Sequence, residues 1–168
     1  MVTTLPNESN GHKPSEGRKR FLPFFVVPPI NPYLTRSIQT IHMHYTKVFL
    51  IEDDEDDQEL FVMALRQINP SLDCTVLSGA ASALQALEQN EAAPDLIFLD
   101  LNMPVMTGQQ FLAELRKKGP DKQIPVIVLS TSSNPVIIDE AKALGARSFI
   151  TKPNDFRELK NILQRILD

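Results

Sequence analysis

The sequence predicts an α/β fold, in which one five-stranded parallel β-sheet is flanked by five helices. Three observations support this prediction. After residue 45, short continuous apolar runs occur five times, which is the pattern of strands buried on both faces. Segments with apolar residues at helical spacing alternate with these runs, and the connections between the two are short. An alternation of this kind is typical of a parallel sheet covered by helices on both faces.

The predicted strands are runs of three or four residues bounded by polar or turn-forming residues. Pro94-Asp95, for example, leads into the third run, which is entirely apolar. Such runs are too short for buried helices, so we interpret them as strands. The five runs are 48–51, 74–77, 96–99, 126–129 and 148–150.

The predicted helices carry apolar residues three and four positions apart, and most are followed by residues that stop a helix. Asn69-Pro70 follows the first helix, Gly119-Pro120 follows the third, and Gly145 follows the fourth. The last helix is amphipathic and reaches almost to the end of the sequence. The five helices are 59–68, 80–90, 109–118, 135–144 and 156–167.

Residues 1–44 differ from the rest of the chain. They contain six of the 13 prolines and show neither helical nor strand periodicity. We therefore expect a flexible or disordered N-terminal extension before a domain at 45–168, with Met43 as a plausible true start. Arg18-Lys19-Arg20 precedes an apolar, proline-interrupted stretch, so contact with a membrane surface or a partner stays open as a second interpretation.

Composition excludes several classes of function. The chain has a net charge of −4. Residues 1–44 hold five basic and two acidic residues and so carry +3, which leaves a net charge of −7 for residues 45–168. An acidic domain is not expected to bind nucleic acid, because phosphate backbones require a basic face. No apolar run approaches the roughly 20 residues that span a bilayer. Cys74 is the one cysteine, so a disulfide within the chain is excluded and a reducing cytoplasm is the expected setting.

Polar residues stand where the predicted strands end. Glu52 and Asp53 follow the first strand, Asp100 the third, Ser130 the fourth, and Lys152 comes shortly after the fifth. The carboxyl ends of parallel strands meet at one edge of the sheet, which is where such folds bind ligands. Neighbouring carboxylates repel each other unless a cation neutralises them, and hard oxygen ligands suit Mg²⁺. The sequence therefore predicts a Mg²⁺ site at this edge.

These residues also match the requirements of phosphoryl transfer. An aspartate such as Asp100 can attack phosphorus and carry the group as an acyl phosphate. Lys152 and Mg²⁺ would offset the charge of the phosphoryl oxygens, and Ser130 would donate a hydrogen bond to one of them. The acidic run 54–57 is instead assigned to helix capping and solvation.

Four motifs resemble the receiver domain of two-component response regulators. They occur in the order and spacing of that family, and the resemblance covers about residues 46–168. It implies the flavodoxin-like (βα)5 receiver fold. The motifs are Phe49-Leu50-Ile51-Glu52-Asp53-Asp54, Leu99-Asp100-Leu101-Asn102-Met103-Pro104 with Gly108, Val128-Leu129-Ser130-Thr131, and Phe149-Ile150-Thr151-Lys152-Pro153.

The resemblance implies a role for each residue of the predicted metal site. Asp100 would be the phosphoacceptor, and Glu52 and Asp53 the acidic pair that binds Mg²⁺. The backbone carbonyl of Asn102 would complete the metal's ligands. Glu52 departs from the commonest pattern, which has aspartate there, and places its carboxylate one methylene further out.

The resemblance also implies a switch. Ser130 would be the switch hydroxyl, Phe149 the switch aromatic, and Lys152 the contact to the phosphoryl group. Serine at position 130, where threonine is commoner, preserves the hydrogen bond and loosens the rotamer. Phosphorylation is then expected to change which partners the domain binds.

The role implied is that of a stand-alone receiver, because only one helix follows Lys152. A histidine kinase or histidine phosphotransfer protein would supply the phosphoryl group, and an unknown protein would be the downstream target. The domain would be a signalling phosphoacceptor rather than an enzyme, with slow autodephosphorylation left open. It would be a monomer or a weak homodimer.

Two alternatives stay open. A pseudo-receiver would bind a partner without using phosphate, although such proteins usually lack a key group that this chain retains. A haloacid-dehalogenase-like phosphatase would also pair an aspartate with Mg²⁺, a hydroxyl and a lysine. That family has a second aspartate two positions after the nucleophile, where this chain has Asn102.

Overall fold

A single parallel sheet forms the centre of the protein. The structure, a computed structural model, describes residues 25–26, 45–89, 93–117 and 124–168. The strands are β1 (Phe25–Val26), β2 (Lys47–Ile51), β3 (Asp73–Leu77), β4 (Leu96–Asp100), β5 (Val126–Ser130) and β6 (Ser148–Thr151). The helices of the described residues are α1 (Glu55–Ile68), α2 (Ala80–Glu88), α3 (Gly108–Lys117), α4 (Pro135–Ala143) and α5 (Phe156–Leu167).

The order of the strands places a crevice at the middle of the sheet. The strands lie in the order β1-β6-β5-β4-β2-β3, and every pair is parallel. From β2 the chain adds β3 on one side and β4 on the other, so the direction of winding reverses between β2 and β4. Such a reversal opens a crevice at the carboxyl ends of the strands. The predicted fold class is confirmed, and the crevice lies where β2 and β4 end.

Two hydrophobic cores cover the two faces of the sheet. On one face, Phe49, Leu99 and Val128 pack with helices α2, α3 and α4. On the other face, Leu50 and Phe98 pack with α1 and α5. Because alternate strand residues enter opposite cores, the central strands β4 and β5 carry consecutive apolar residues, 96–99 and 126–129, up to their polar last residues. Full burial of one such side chain stabilises the fold by roughly 1.5–3 kcal/mol.

Strand β1 lies at an edge of the sheet and was not predicted from the sequence. Phe25 pairs with Ser148, and Val26 pairs with Phe149. A strand of two residues is too short to produce a periodic pattern, and its pairing joins backbone groups, which every sequence possesses. The described part of the sheet therefore has one strand more than the five predicted.

Several predictions concern residues that the structure does not describe. Apart from β1, the extension 1–44 and the start at Met43 lie outside the described residues. The same holds for the ends predicted for the second helix at Asn90 and the third at Lys118. The domain boundary at residue 45 stays a prediction.

Helix α1 begins at Glu55, four residues before the predicted start at Glu59. Asp54 is the N-cap residue, and its Oδ1 accepts a hydrogen bond from the amide of Asp57 at 3.0 Å. An acidic cap and an acidic first turn both stabilise the positive end of a helix. The prediction was wrong here because apolar spacing reveals a helix only from its first apolar residue onward.

Helix α4 ends at Ala143, one residue before the predicted end at Leu144, and Gly145 follows it as the predicted stop. Gly145 has φ of 96°, a left-handed conformation that glycine adopts without a steric penalty. Its amide donates to the carbonyl of Lys142, and the amide of Ala146 donates to that of Ala141, both at 3.0 Å. These bonds satisfy carbonyls at the helix end and turn the chain toward β6.

Asp95 connects the starts of β2 and β4. Its Oδ2 accepts hydrogen bonds from the amide of Thr46 at 2.7 Å, the hydroxyl of Thr46 at 2.8 Å and the amide of Lys47 at 2.9 Å. The amides of Thr46 and Lys47, followed by the Thr46 hydroxyl, lower the pKa of the Asp95 carboxyl. A carboxylate with a lowered pKa stabilises the folded state at neutral pH.

Gly108, the first residue of α3, packs directly against the loop that follows β4. A Cβ atom at this position would overlap the carbonyl oxygen of Asp100 and would lie 2.8 Å from the Cα of Leu101. The amide of Gly108 also donates to the carbonyl of Leu101 at 3.1 Å. A larger residue would displace backbone atoms rather than a side chain that can move aside.

We expect Asp95→Asn to lower the free energy of unfolding by about 1 kcal/mol at pH 7, since an amide oxygen is the weaker acceptor. The contribution of Asp95 is fully present above the ordinary pKa of an aspartate, about 3.9, and is lost as the pH falls through its lower folded value. Urea unfolding at several pH values should therefore show the two proteins converging below about pH 4. Asp139→Asn, at an exposed position on α4, is the control. A difference that is independent of pH would contradict the role given to Asp95.

We expect Gly108→Ala to lower the free energy of unfolding by roughly 2–3 kcal/mol, because the new methyl group must displace backbone atoms. Gly79→Ala is a matched control, since a Cβ atom there meets nothing within 4 Å. As a change at a helix N-cap, it should cost less than about 1 kcal/mol. Equal losses in the two variants, measured by urea unfolding, would show that close packing at Gly108 is not the cause.

Candidate functional site

The four strand-end positions singled out in the sequence lie at one edge of the sheet. Glu52 directly follows β2, and Asp100 is the last residue of β4. Ser130 is the last residue of β5 and pairs with Thr151 of β6, which Lys152 follows. The amide of Lys152 donates to the carbonyl of Ser130 at 2.7 Å, which fixes the chain where it leaves β6. The sheet register thus brings together residues up to 100 positions apart.

Glu52, Asp53 and Asp100 form an acidic cluster with the composition of a metal site. One carboxylate oxygen from each lies within 4.8 Å of the others. Glu52 and Asp100 are buried, whereas Asp53 is exposed, so the cluster opens to solvent on one side. Burial raises the pKa of Glu52, and the charge of Asp100 adds to this, while Lys152 acts against it. Oxygen ligands, excess negative charge and an open side fit a hard divalent cation such as Mg²⁺.

Lys152 holds three carboxylates at once. Its Nζ lies 2.7 Å from Glu52 Oε2, 2.7 Å from Asp57 Oδ2 and 3.2 Å from Asp100 Oδ1. Burial alone would lower the pKa of Lys152, but the hydrogen bonds to Asp57 and Glu52 outweigh it, so the pKa is raised. The ammonium is therefore charged at neutral pH and partly neutralises the acidic cluster.

The contact between Asp57 and Lys152 corrects the assignment of 54–57 to capping and solvation. Asp54 does cap α1, but the side chain of Asp57 is turned toward Lys152. The assignment was wrong for Asp57 because its partner lies 95 positions away in sequence, and an acidic residue near a helix start is equally well explained by helix electrostatics. With α1 beginning at Glu55, Asp57 falls in the first turn, beside the end of β2. An N-cap signal at Asp54 would have placed Asp57 in the first turn, but it would not have revealed the contact with Lys152.

Gln58 is a second residue that the sequence analysis missed. Its Nε2 donates to the backbone carbonyl of Glu52 at 2.8 Å, so helix α1 is bonded directly to the start of the acidic cluster. The amide of Glu52 donates to the carbonyl of Leu77 in β3 at 3.1 Å. A lone glutamine in a helix carries no distinctive sequence signal.

Both carboxylate oxygens of Asp100 have a donor nearby. Oδ2 accepts from the amide of Asn102 at 2.6 Å, and Oδ1 faces Lys152. Asn102 therefore lies beside the carboxylate, although a metal-binding role for its carbonyl stays a prediction. The loop then passes through Val105, which is fully exposed with φ of 67°, an uncommon conformation for a β-branched residue. Such backbone strain often accompanies functional loops.

The two residues predicted to form the switch are both buried. The Oγ of Ser130 accepts from the amide of Ser132 at 3.2 Å. The ring of Phe149 lies in the core beneath α2, α3 and α4, in the same cluster as Val128 and Ala141. The structure places the hydroxyl at the site edge and the aromatic ring in the adjacent core. Their roles in switching stay predictions.

Comparison with known proteins identifies relatives of this chain. The family model for the response regulator receiver domain matches residues 48–164. Response regulator Rcp1 from a Synechocystis strain is 31% identical over 124 residues, covering 71% of this chain and 84% of Rcp1. Plant and archaeal relatives are longer, and this chain spans between 17% and 54% of their lengths.

Solved structures give the same result. The crystal structure of the phosphorylated cyanobacterial phytochrome response regulator RcpA is 36% identical, with a TM-score of 0.66, and the match covers 73% of this chain and 91% of RcpA. The Mn²⁺-bound form of Rcp1 is 32% identical, with a TM-score of 0.64, and the match covers 72% of this chain and 91% of that one.

The family of this chain follows from these comparisons and from the fold. No helix among the described residues is long and apolar enough to cross a membrane. Receiver domains of this family are signalling domains that interact with kinases or phosphotransfer proteins and with downstream targets. Their fold and motif order agree with this chain, which removes the haloacid-dehalogenase alternative. The chain therefore belongs to the response regulator receiver family of two-component signalling.

Proposed function

We propose that this chain is a phosphoacceptor whose Asp100 takes a phosphoryl group from a histidine kinase or a histidine phosphotransfer protein in the presence of Mg²⁺. The observation that carries the proposal is the position of Asp100. Its carboxylate is buried, lies 3.2 Å from the ammonium of Lys152, and belongs to the acidic cluster with Glu52 and Asp53. A phosphorylated relative of 36% identity and a Mn²⁺-bound relative of 32% identity support it.

The reaction would proceed by attack of an Asp100 carboxylate oxygen on the phosphorus of a phosphohistidine. A new O–P bond forms and the N–P bond breaks. The electron pair of the broken N–P bond stays on the imidazole nitrogen, which takes up a proton. Asp100 thereby becomes an acyl phosphate. Little covalent chemistry is left for the protein, so positioning and neutralisation of charge dominate.

Each neighbouring residue would have a defined part. Lys152 holds a positive charge beside the carboxylate and donates a hydrogen bond to a phosphoryl oxygen. Glu52, Asp53, Asp100 and the carbonyl of Asn102 would hold Mg²⁺, which when bound supplies further positive charge next to the phosphoryl oxygens.

Phosphorylation would then alter the surface by way of Ser130 and Phe149. The phosphoryl group adds strong acceptor oxygens beside the end of β5. The hydroxyl of Ser130 would leave the amide of Ser132 and donate to one of these oxygens, and Phe149 would repack in the space this opens. Such a local two-state change would bias which downstream protein binds near α4 and β6.

We expect incubation of the purified protein with Mg²⁺ and acetyl phosphate to add the mass of one phosphoryl group, seen by intact mass spectrometry. Asp100→Asn should show no gain, because an amide oxygen is a poor nucleophile toward phosphorus. Asp139→Asn, at an exposed position on α4, is the control and should gain the same mass as the unaltered protein. Chelation of the metal should abolish the gain.

Two results would contradict the proposal. A gain that persists in Asp100→Asn would place the acceptor elsewhere. No gain with acetyl phosphate or with a phosphorylated phosphotransfer protein would favour a pseudo-receiver, whose surface binds a partner without phosphate.

The proposed switch has a separate test. If the amide hydrogen exchange of α4 and β6 is the same in the phosphorylated and unphosphorylated forms, the switch is refuted while the phosphoacceptor role stands.

A further inference from the structure

We propose that Asp57 is a positioning residue that shares Lys152 with the metal-binding carboxylates, keeps a partner for its ammonium when Mg²⁺ binds them, and thereby raises the affinity of the site for Mg²⁺. The proposal rests on the proposed function in one respect, namely that Glu52, Asp53 and Asp100 take up Mg²⁺. It assigns a role to a residue outside that acidic cluster.

The contacts of Lys152 are divided between the edge of the sheet and a helix. Glu52 and Asp100 stand at the ends of β2 and β4, whereas Asp57 belongs to the first turn of α1. An ammonium has three N–H donors, and the three carboxylates lie 2.7, 3.2 and 2.7 Å from Nζ in that order. Lys152 is thus held between the edge of the sheet and the helix, with its side chain 17% exposed.

Lys152 and a divalent cation would compete for the same oxygens. Glu52 and Asp100 both contact Lys152 and both belong to the acidic cluster. A cation that binds them must weaken their bonds to the ammonium, and this largely buried group would then lack a full set of acceptors. Leaving a buried charge without partners is costly.

Asp57 provides Lys152 with an acceptor that the cation does not require. Its carboxylate is carried by helix α1, lies outside the acidic cluster, and is 42% exposed. Lys152 can therefore keep one carboxylate partner while Glu52 and Asp100 turn to the metal. Without the Asp57 charge, the ammonium would bind those two more tightly, and the site would also lose negative charge. Both effects lower the affinity for Mg²⁺.

The neighbouring acidic residues supply matched comparisons. The first turn of α1 contains three acidic residues, Glu55, Asp56 and Asp57. Of these, Asp57 contacts Lys152. Asp56 carries the same charge one residue away and is exposed. A change at Asp56 therefore tests the effect of charge at a distance without removing the contact.

The test is Mg²⁺ binding by isothermal titration calorimetry, using the full chain. We expect Asp57→Asn to weaken the Mg²⁺ association constant by about three- to tenfold, the size of one partly exposed charge-assisted contact. Asp56→Asn should weaken it by less than about twofold, because exposed charges are screened. Asp57→Glu, which keeps the charge and can still reach Lys152, should stay within about twofold of the unaltered protein.

A double-variant cycle separates positioning from charge. In the Lys152→Met background, Asp57→Asn should have no larger effect than Asp56→Asn, because the ammonium that Asp57 positions is gone. Circular dichroism of each variant checks that it is folded. If Asp57→Asn is not folded, Asp57→Ser, which also removes the charge, takes its place in the same comparison.

The outcomes are distinct. Equal weakening by Asp57→Asn and Asp56→Asn, or an effect of Asp57→Asn that persists undiminished in Lys152→Met, would overturn the positioning role and leave the proposed function intact. Tighter Mg²⁺ binding by Asp57→Asn would also overturn it, since Asp57 would then help Lys152 to compete with the metal. A failure of the unaltered protein to bind Mg²⁺ would overturn both proposals.

Discussion

The burial of two carboxylates next to a single ammonium is the constraint on which the rest of the site depends. Glu52 and Asp100 are each only 3% exposed, and Lys152 contacts both. Taking a carboxylate out of water without a partner costs several kcal/mol, so the burial of these two residues depends on the ammonium beside them. Every buried polar side-chain atom among the described residues has a hydrogen-bond partner, which shows how fully this cost is offset.

The parallel sheet makes this burial possible. Backbone bonds fix β2, β4, β5 and β6 side by side, and apolar residues on both faces prevent the strands from shifting. A shift of one residue in the pairing register would move every side chain of a strand to the opposite face of the sheet. The tightly packed cores on both faces prevent such a shift. The residues that follow the strands are therefore held in place by packing well away from the site.

The sequence revealed the parts of the molecule that follow regular patterns. Five strands and five helices were predicted, because continuous apolar runs and helical spacing are properties of the chain itself. The strand-end residues could be grouped from the sequence alone, because the topology of a parallel sheet brings them to one edge. The start of α1 at Glu55 was missed, since its first turn is polar and shows no hydrophobic period.

Two other features depend on contacts that no local pattern encodes. Strand β1 is held by backbone pairing with β6. The types of its two residues therefore give little indication of a strand. The partner of Asp57 lies 95 positions away in sequence, and an acidic residue in a first turn is by itself well explained by helix electrostatics. Only the distance of 2.7 Å to Lys152 distinguishes it from its neighbours.

The charges at the site indicate why a metal and a phosphoryl group would depend on each other. The site combines the ammonium of Lys152 with the carboxylates of Glu52, Asp53, Asp57 and Asp100, so it is strongly negative without a cation. On the proposed function, phosphorylation replaces the single charge of Asp100 with nearly two. A phosphoryl group would therefore increase the attraction of the site for Mg²⁺, and by linkage bound Mg²⁺ would favour the phosphorylated state equally. On the positioning role proposed for Asp57, its contact with Lys152 would allow Glu52 and Asp100 to turn to Mg²⁺ and so sustain that mutual dependence.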